Sequence, residues 1–335
     1  MLKNNFLLLP PEKLPHNQKE LIFLQNSKNT ILLKNSFSEI IHKNDLFIII
    51  QKILKSYEKK IKNFSIISND CYESKKNHDN DLAFRIIRVD GPILEVLNYS
   101  VIKTYHLLFL DLKKSGTSLS RKNFNILIKT LFTLLFLYNP NTHCSISNKF
   151  YSKLKIKNYI DKYNAYKRWI HGHYLFMVII QGLIISLQCF IFEYSKKKFL
   201  QSLLYLDNAI KLMKATEVAL YYTGEFSSKS YNENVRPTLM PPISQPEMSG
   251  LNWRDHQFMV KNCMRSIGKL NFTSCPIIQK KYNSFIISLK KAYHAHKYVC
   301  GKFVGPASGS LRSNEYSAVQ EIEKFKKLRL KILKG

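Results

Sequence analysis

Two histidines and one cysteine are the residues of this sequence whose types and spacing could do chemistry. His256 and His296 stand on apolar helical stripes, and Cys300 follows His296 by four residues. Four residues is about one helical turn, so the His296 imidazole and the Cys300 thiol share one helix face. Placed so, they could ligate a haem iron and bond to a haem vinyl group, a reversed, single-cysteine version of the CxxCH attachment motif. A packed core histidine beside a buried thiol has the same spacing, and the tetrapeptide alone does not separate the two. His294 falls on the face of Lys290, Lys291 and Lys297 and reads as solvent-facing. His171-Gly172-His173 with His256 is another candidate metal set, but no carboxylate is spaced to complete a triad.

The elements that must position these residues are helices. The stripe Trp253, His256, Val260, Cys263, Ile267, Leu270 predicts a helix opening at Asn252. Asp255 stands three residues on, as in a capping box, and Cys275-Pro276 breaks the pattern. The stripe Ile278, Tyr282, Phe285, Leu289, Ala292, His296, Cys300 predicts a second helix, stopped by Gly301 as its cap. As an antiparallel hairpin, the pair places His256 18 residues before position 274 and His296 19 residues after position 277. At about 1.5 Å per residue both imidazoles then sit about 27–28 Å from the turn, at one level, where they can address one buried ligand.

Other helices are predicted over residues 159–193 and 199–222. Residues 224–250, with Pro237, Pro241, Pro242 and Pro246, are predicted to be an ordered, irregular loop. Glu217 rides the stripe of Leu206, Ile210, Met213 and Leu220 and reads as a helix-edge residue. A glycine- and serine-rich loop over 305–310 lacks the lysine of a P-loop and leads into a basic C-terminal helix over about 314–334. In the first 160 residues, apolar runs at 47–54, 93–112 and 124–138 read as buried helices or strands. Residues 68–81 read as an exposed polar loop, and nothing in this part carries a chemical motif. The expected fold class is all-α, predominantly helical: a single domain over 1–335 with its motif-bearing core at about 160–312.

Charge is the loudest compositional feature. The 335 residues carry a formal +29, with 43 Lys against 9 Arg, beside 27 Asn. Lys, Asn, Ile, Phe and Tyr all draw on AT-rich codons, whereas nucleic-acid readers lean on the arginine fork. The lysines are dispersed rather than gathered in a stripe, so a solvated surface is the preferred reading. A basic helical protein that binds nucleic acid or a membrane surface, without enzymatic activity, is the alternative. The stretch 174–192 is uncharged over 19 residues, long enough for a membrane span, but Gln181, Ser186 and Gln188 interrupt it and favour a buried central helix. Six cysteines without a CxxC pair suit a reduced, cytoplasmic interior.

The pattern His256, some forty residues, His296-x-x-x-Cys300 resembles the HxnHxxxC haem signature of the saframycin-type tyrosine hydroxylases. The flanking stretches RPTLMPP from Arg236, SGLNWRDH up to His256 and KYVCGKFVGPASGS from Lys297 are similar to that group as well. These enzymes belong to the histidine-ligated haem-dependent aromatic oxygenases, the superfamily of tryptophan 2,3-dioxygenase. The resemblance spans about residues 170–312. It implies a tryptophan 2,3-dioxygenase-like helical haem domain, with His296 as axial iron ligand and Cys300 as the thioether attachment of a covalently held haem. His256 would lie on the opposite face, as proton-moving catalytic group or second ligand. The implied reaction is hydroxylation of tyrosine or 3-methyl-tyrosine ortho to the phenol, with hydrogen peroxide as oxidant, in tetrahydroisoquinoline alkaloid biosynthesis of the ecteinascidin type. The implied partner is a small aromatic amino acid, with neither nucleic acid nor membrane; a homo-oligomer stays open. Arg254 and Arg236 are the residues near the motif that could pair with the substrate carboxylate.

Overall fold

The computed structural model describes residues 5–25, 46–68, 70–137, 164–245, 248–273, 275–305 and 317–334. The chain enters through a short buried strand, β1 (Phe6–Leu8), followed by α1 (Gln18–Gln25). Helix α2 (Leu46–Glu58) buries one apolar stripe, Leu46, Ile49, Ile50, Ile53 and Leu54. Strand β2 (Ser65–Ile66), helix α3 (Lys75–Ala83) and strand β3 (Ile86–Asp90) come next. The three strands form a small sheet in the order β1-β3-β2, with β1 parallel and β2 antiparallel to β3. Nothing in the sequence reading anticipated this sheet, although the predominance of helix is as expected.

The expected loop at 68–81 is instead half helix. Ser74 caps α3 by accepting a hydrogen bond from the Asn77 amide, and Asn77, Asn80 and Asp81 are buried. Its polar residues face inward because Arg88 waits there: Nε lies 2.7 Å from Asp81, and the same guanidinium lies 2.6 Å from Asp255. A buried guanidinium with two carboxylates hides the amphipathic pattern that usually betrays a helix.

Helices α4 (Ile93–Ser115) and α5 (Arg121–Leu135) match the apolar runs, and α5 is capped by Ser120. Then comes α6 (Ala165–Ser195), capped by Asn164 and buried almost all round. By length and composition it could cross a membrane, but 78% of its apolar window is buried inside the protein, the position of a core helix. Helix α7 (Phe199–Thr223) packs back along α6. At Gly172 an added Cβ would lie 2.1 Å from Thr223 Oγ1, so glycine permits the two helices to meet there.

The proline-rich stretch after α7 forbids a long helix, but it is not irregular throughout. It holds a π-helical turn at Tyr231–Val235 and a 3-10 turn at Arg236–Leu239. Helix α8 starts as α-helix at Arg254–Phe258, widens to a π-helical turn at Met259–Met264 and closes as α-helix at Arg265–Gly268. Helix α9 (Pro276–Val304) runs three residues past Gly301; the cap is Gly305, at φ 79°, whose amide donates to the Gly301 carbonyl. The glycine-serine loop expected at 305–310 lies, beyond Gly305, outside the described residues. Helix α10 (Ala318–Ile332) opens on a full capping box of Ser317 and Gln320. In the core, α6 lies between α4, α7 and α8, while α7 carries α9 and α9 carries α10.

Candidate active site

These helices enclose a cavity of about 330 Å³. Its walls are largely apolar: Phe176, Ile180 and Leu183 from α6, Met213 and Leu220 from α7, Met259, Val260 and Met264 from α8, Leu289 and Val299 from α9, and Ile322 and Phe325 from α10. His173 from α6, His256 from α8, and His296 and Cys300 from α9 line the same space. The hairpin reasoning thus brought His256 and His296 to one cavity. The two helices do not pack mainly on each other, however. Helix α8 leans on α6, α9 leans on α7, and the cavity opens between them.

His296 is exposed, and the space it faces is this cavity, while His294 is exposed on the lysine-rich side of α9. Burial in the protein body holds His173, His256 and His296 each down to about 4, so all three are neutral near pH 7. After burial, the Arg329 guanidinium and then His296 add to the depression at His256. His173 Nδ1 donates to the Trp169 carbonyl at 2.7 Å, which leaves its Nε2 with a free lone pair. The same ring packs against Trp169 at 4.3 Å, Phe84 at 4.5 Å and Trp253 at 5.5 Å. Burial pushes the Cys300 thiol up to about 12, so it is a protonated thiol and not a thiolate ligand.

Four polar atoms on the cavity residues are buried without a hydrogen-bond partner: His256 Nδ1, Trp169 Nε1, Trp253 Nε1 and Arg329 Nε. Buried polar groups are ordinarily paired, and a bound polar molecule would satisfy these. Among the described residues no group of three or more His, Cys, Asp or Glu could hold a bare metal ion. The set of His171, His173 and His256 is therefore not assembled, and His171 lies off the cavity lining. An iron carried in a macrocycle asks less of the protein: one or two neutral imidazoles and apolar walls. The cavity residues fit that group, and Cys300, one turn from His296 on the same wall, fits its covalent attachment.

Arg254 is not available for a substrate. It is buried, paired with Glu12 at 2.6 Å and with Asp70, and its amide donates to Asn77. Two carboxylates already neutralise it, and it locks α8 to the N-terminal part of the chain. Arg236, half-buried, also lies off the lining. Glu217 is half-buried on the edge of α7, as read. The lining residues that sequence reasoning missed include Asn80, Phe84, Trp169 and Arg329, while His173 was read only as part of a bare-metal set and Trp253 only as a stripe residue. Arg329 had a legible signal, since Ala318, Ile322, Phe325 and Arg329 repeat at helical spacing within the basic C-terminal helix.

Residues 7–274 match the family described as SfmD 3-methyl-L-tyrosine peroxygenase. The chain belongs to this family. A 3-methyl-L-tyrosine peroxygenase of Streptomyces lavendulae is 32% identical over 274 residues, 80% of this chain and 73% of that protein. A crystal structure of reduced SfmD, obtained by soaking with sodium hydrosulfite, superposes with a TM-score of 0.64 at 25% identity, covering 89% of this chain and 97% of that one. Membership of the SfmD family makes the chain an enzyme of the oxidoreductase class and removes the reading as a non-enzymatic basic binding protein. The family match includes His173 and His256 and ends before His296, Cys300 and Arg329. Those three residues line the same cavity as His173 and His256.

Proposed function

We propose that this chain is a haem peroxygenase that hydroxylates the ring of tyrosine or 3-methyl-tyrosine ortho to the phenol. The observation that carries this reading is the convergence of His256, His296 and Cys300, two neutral imidazoles and a protonated thiol, on one apolar cavity. Membership in a family named for 3-methyl-L-tyrosine peroxygenase supports the same activity. His296 would hold the haem through its iron, and Cys300, one turn further along α9, would hold it covalently through a vinyl group. When bound, the haem supplies the redox chemistry that activates peroxide.

The remaining work falls to the chain's own side chains. The apolar walls exclude water, which protects an oxidised site from side reactions. His256 is neutral and faces the cavity from a separate helix, so a ring nitrogen can take a proton from hydrogen peroxide and return it to the leaving oxygen. The same placement would let it cap the iron as a second ligand. The rings of Phe84, Trp169 and Trp253 around His173 offer a stacking wall for an aromatic substrate. The balance is one peroxide per product: an aromatic C–H becomes C–OH, and the second peroxide oxygen leaves as water.

Incubation of the purified protein with oxygen-labelled hydrogen peroxide and, separately, L-tyrosine, 3-methyl-L-tyrosine and L-tryptophan tests the reading. The expected result is a mass gain of one labelled oxygen on the two phenols and none on tryptophan. Absence of product from both phenols, or ring cleavage of tryptophan, would overturn it.

A further inference from the structure

Among the described residues three arginines are buried, and each sits between two carboxylates. Arg88 pairs with Asp81 and Asp255, Arg168 with Asp111 and Glu225, and Arg254 with Glu12 and Asp70. That is the rule physics sets for a guanidinium taken out of water. Arg329, on the inner face of α10, departs from it. It lines the cavity, half-buried, and its Nε is buried without a partner. Among the described residues no carboxylate lies within ion-pair distance of it. Its guanidinium hydrogen-bonds the Tyr293 side chain, and its charge reaches into the site by acting on both Tyr293 and His256.

We propose that Arg329 is the carboxylate-binding residue of the cavity, its buried Nε edge, which has no partner among the described residues, turned to an anion that arrives with a ligand. A guanidinium presents parallel N–H donors that match a carboxylate bidentately, and in an apolar enclosure that pair is strong. This rests on the reading of the cavity as a site for an aromatic amino acid and haem, which offers two sources of the same chemistry: the α-carboxylate of the amino acid and a haem propionate. It replaces the carboxylate role that sequence reasoning gave Arg254 and Arg236. Helix α10 thereby becomes part of the site, and not merely a basic surface helix.

The test measures binding, so that it stands apart from turnover. Calorimetric titration of the purified, haem-loaded chain with L-tyrosine and with tyramine, which lacks the carboxylate, gives a preference ratio for the wild type and for Arg329→Gln and Arg329→Lys. Loss of a charge-assisted hydrogen-bonded pair weakens binding by about 10- to 100-fold. The expected result is that R329Q loses affinity for tyrosine by that factor and leaves tyramine unchanged, with R329K intermediate. In a second arm, haem transfer to apomyoglobin is followed for Cys300→Ala with and without R329Q. Transfer accelerated tenfold or more, with the tyrosine preference intact, assigns the carboxylate to a propionate and also supports the proposal. If neither the preference ratio nor the transfer rate changes in R329Q or R329K, the proposal is overturned. A chain that binds tyrosine through Arg329 but does not hydroxylate it would instead sink the functional reading alone.

Discussion

His171, His173 and His256 are each held by burial at about 4, whereas an exposed imidazole titrates near 6.5. As pH falls through about 6.5 the unfolded chain takes up protons that the folded chain refuses until about 4. Stability from these residues is therefore complete above about 6.5 and is lost as pH falls towards 4. Urea unfolding of the haem-free protein should show a midpoint that drops steadily between pH 7 and pH 5, a window above ordinary carboxylate titration. A flat midpoint would mean that the imidazoles are not buried as described. His256, His296 and Cys300 were legible in the sequence because each interrupts an apolar stripe of regular period. His173 was not separable from His171, since alternate positions on a helix buried almost all round give no contrast. Arg329 was overlooked although it shares helical spacing with Ala318, Ile322 and Phe325, because the lysines around it made its helix look uniformly solvated.

At the level of elements, the contact of α6 and α7 at Gly172 sets the width of the cavity next to His173. Gly172→Ala places a methyl group against Thr223 and should cost about 1–3 kcal/mol, as overpacking of a tight interface does. Its readout is the denaturant midpoint together with haem content, and an unchanged midpoint would contradict the close approach. The helices from α4 onward were readable from periodicity because each buries one face or all faces in an apolar core. The failures have physical causes as well. Helix α3 turns Asn77, Asn80 and Asp81 inward to a buried network with Arg88, so polarity misreads as exposure. Gly301 is tolerated inside α9, and the true stop is Gly305, where the backbone takes a positive φ that favours glycine. The π-helical turn Met259–Met264 directly after His256 follows no propensity rule; such turns gather at functional sites.

Over the whole molecule, the charge of +29 is not where the chemistry is. The cavity is lined mainly by apolar groups and neutral imidazoles, with Arg329 and Glu321 of α10 as its charged residues, and three other arginines are held in internal ion pairs. The first 160 residues, mute in the sequence, supply Asn80 and Phe84 to the cavity lining and the acids that fix Arg254 and Arg88. Site and scaffold are thus assembled from both ends of the chain, and α10 closes the far side. In the proposed reading, His296 and Cys300 hold one covalently attached haem in this cavity. Acid-acetone extraction of the purified protein, read by absorbance in the Soret region, tests it most directly. The expected result is a red-brown protein whose haem stays with the precipitated chain, is released by Cys300→Ala and stays attached in His294→Ala. A colourless protein from haem-supplied cells, or haem that extracts freely from the wild type, would contradict it.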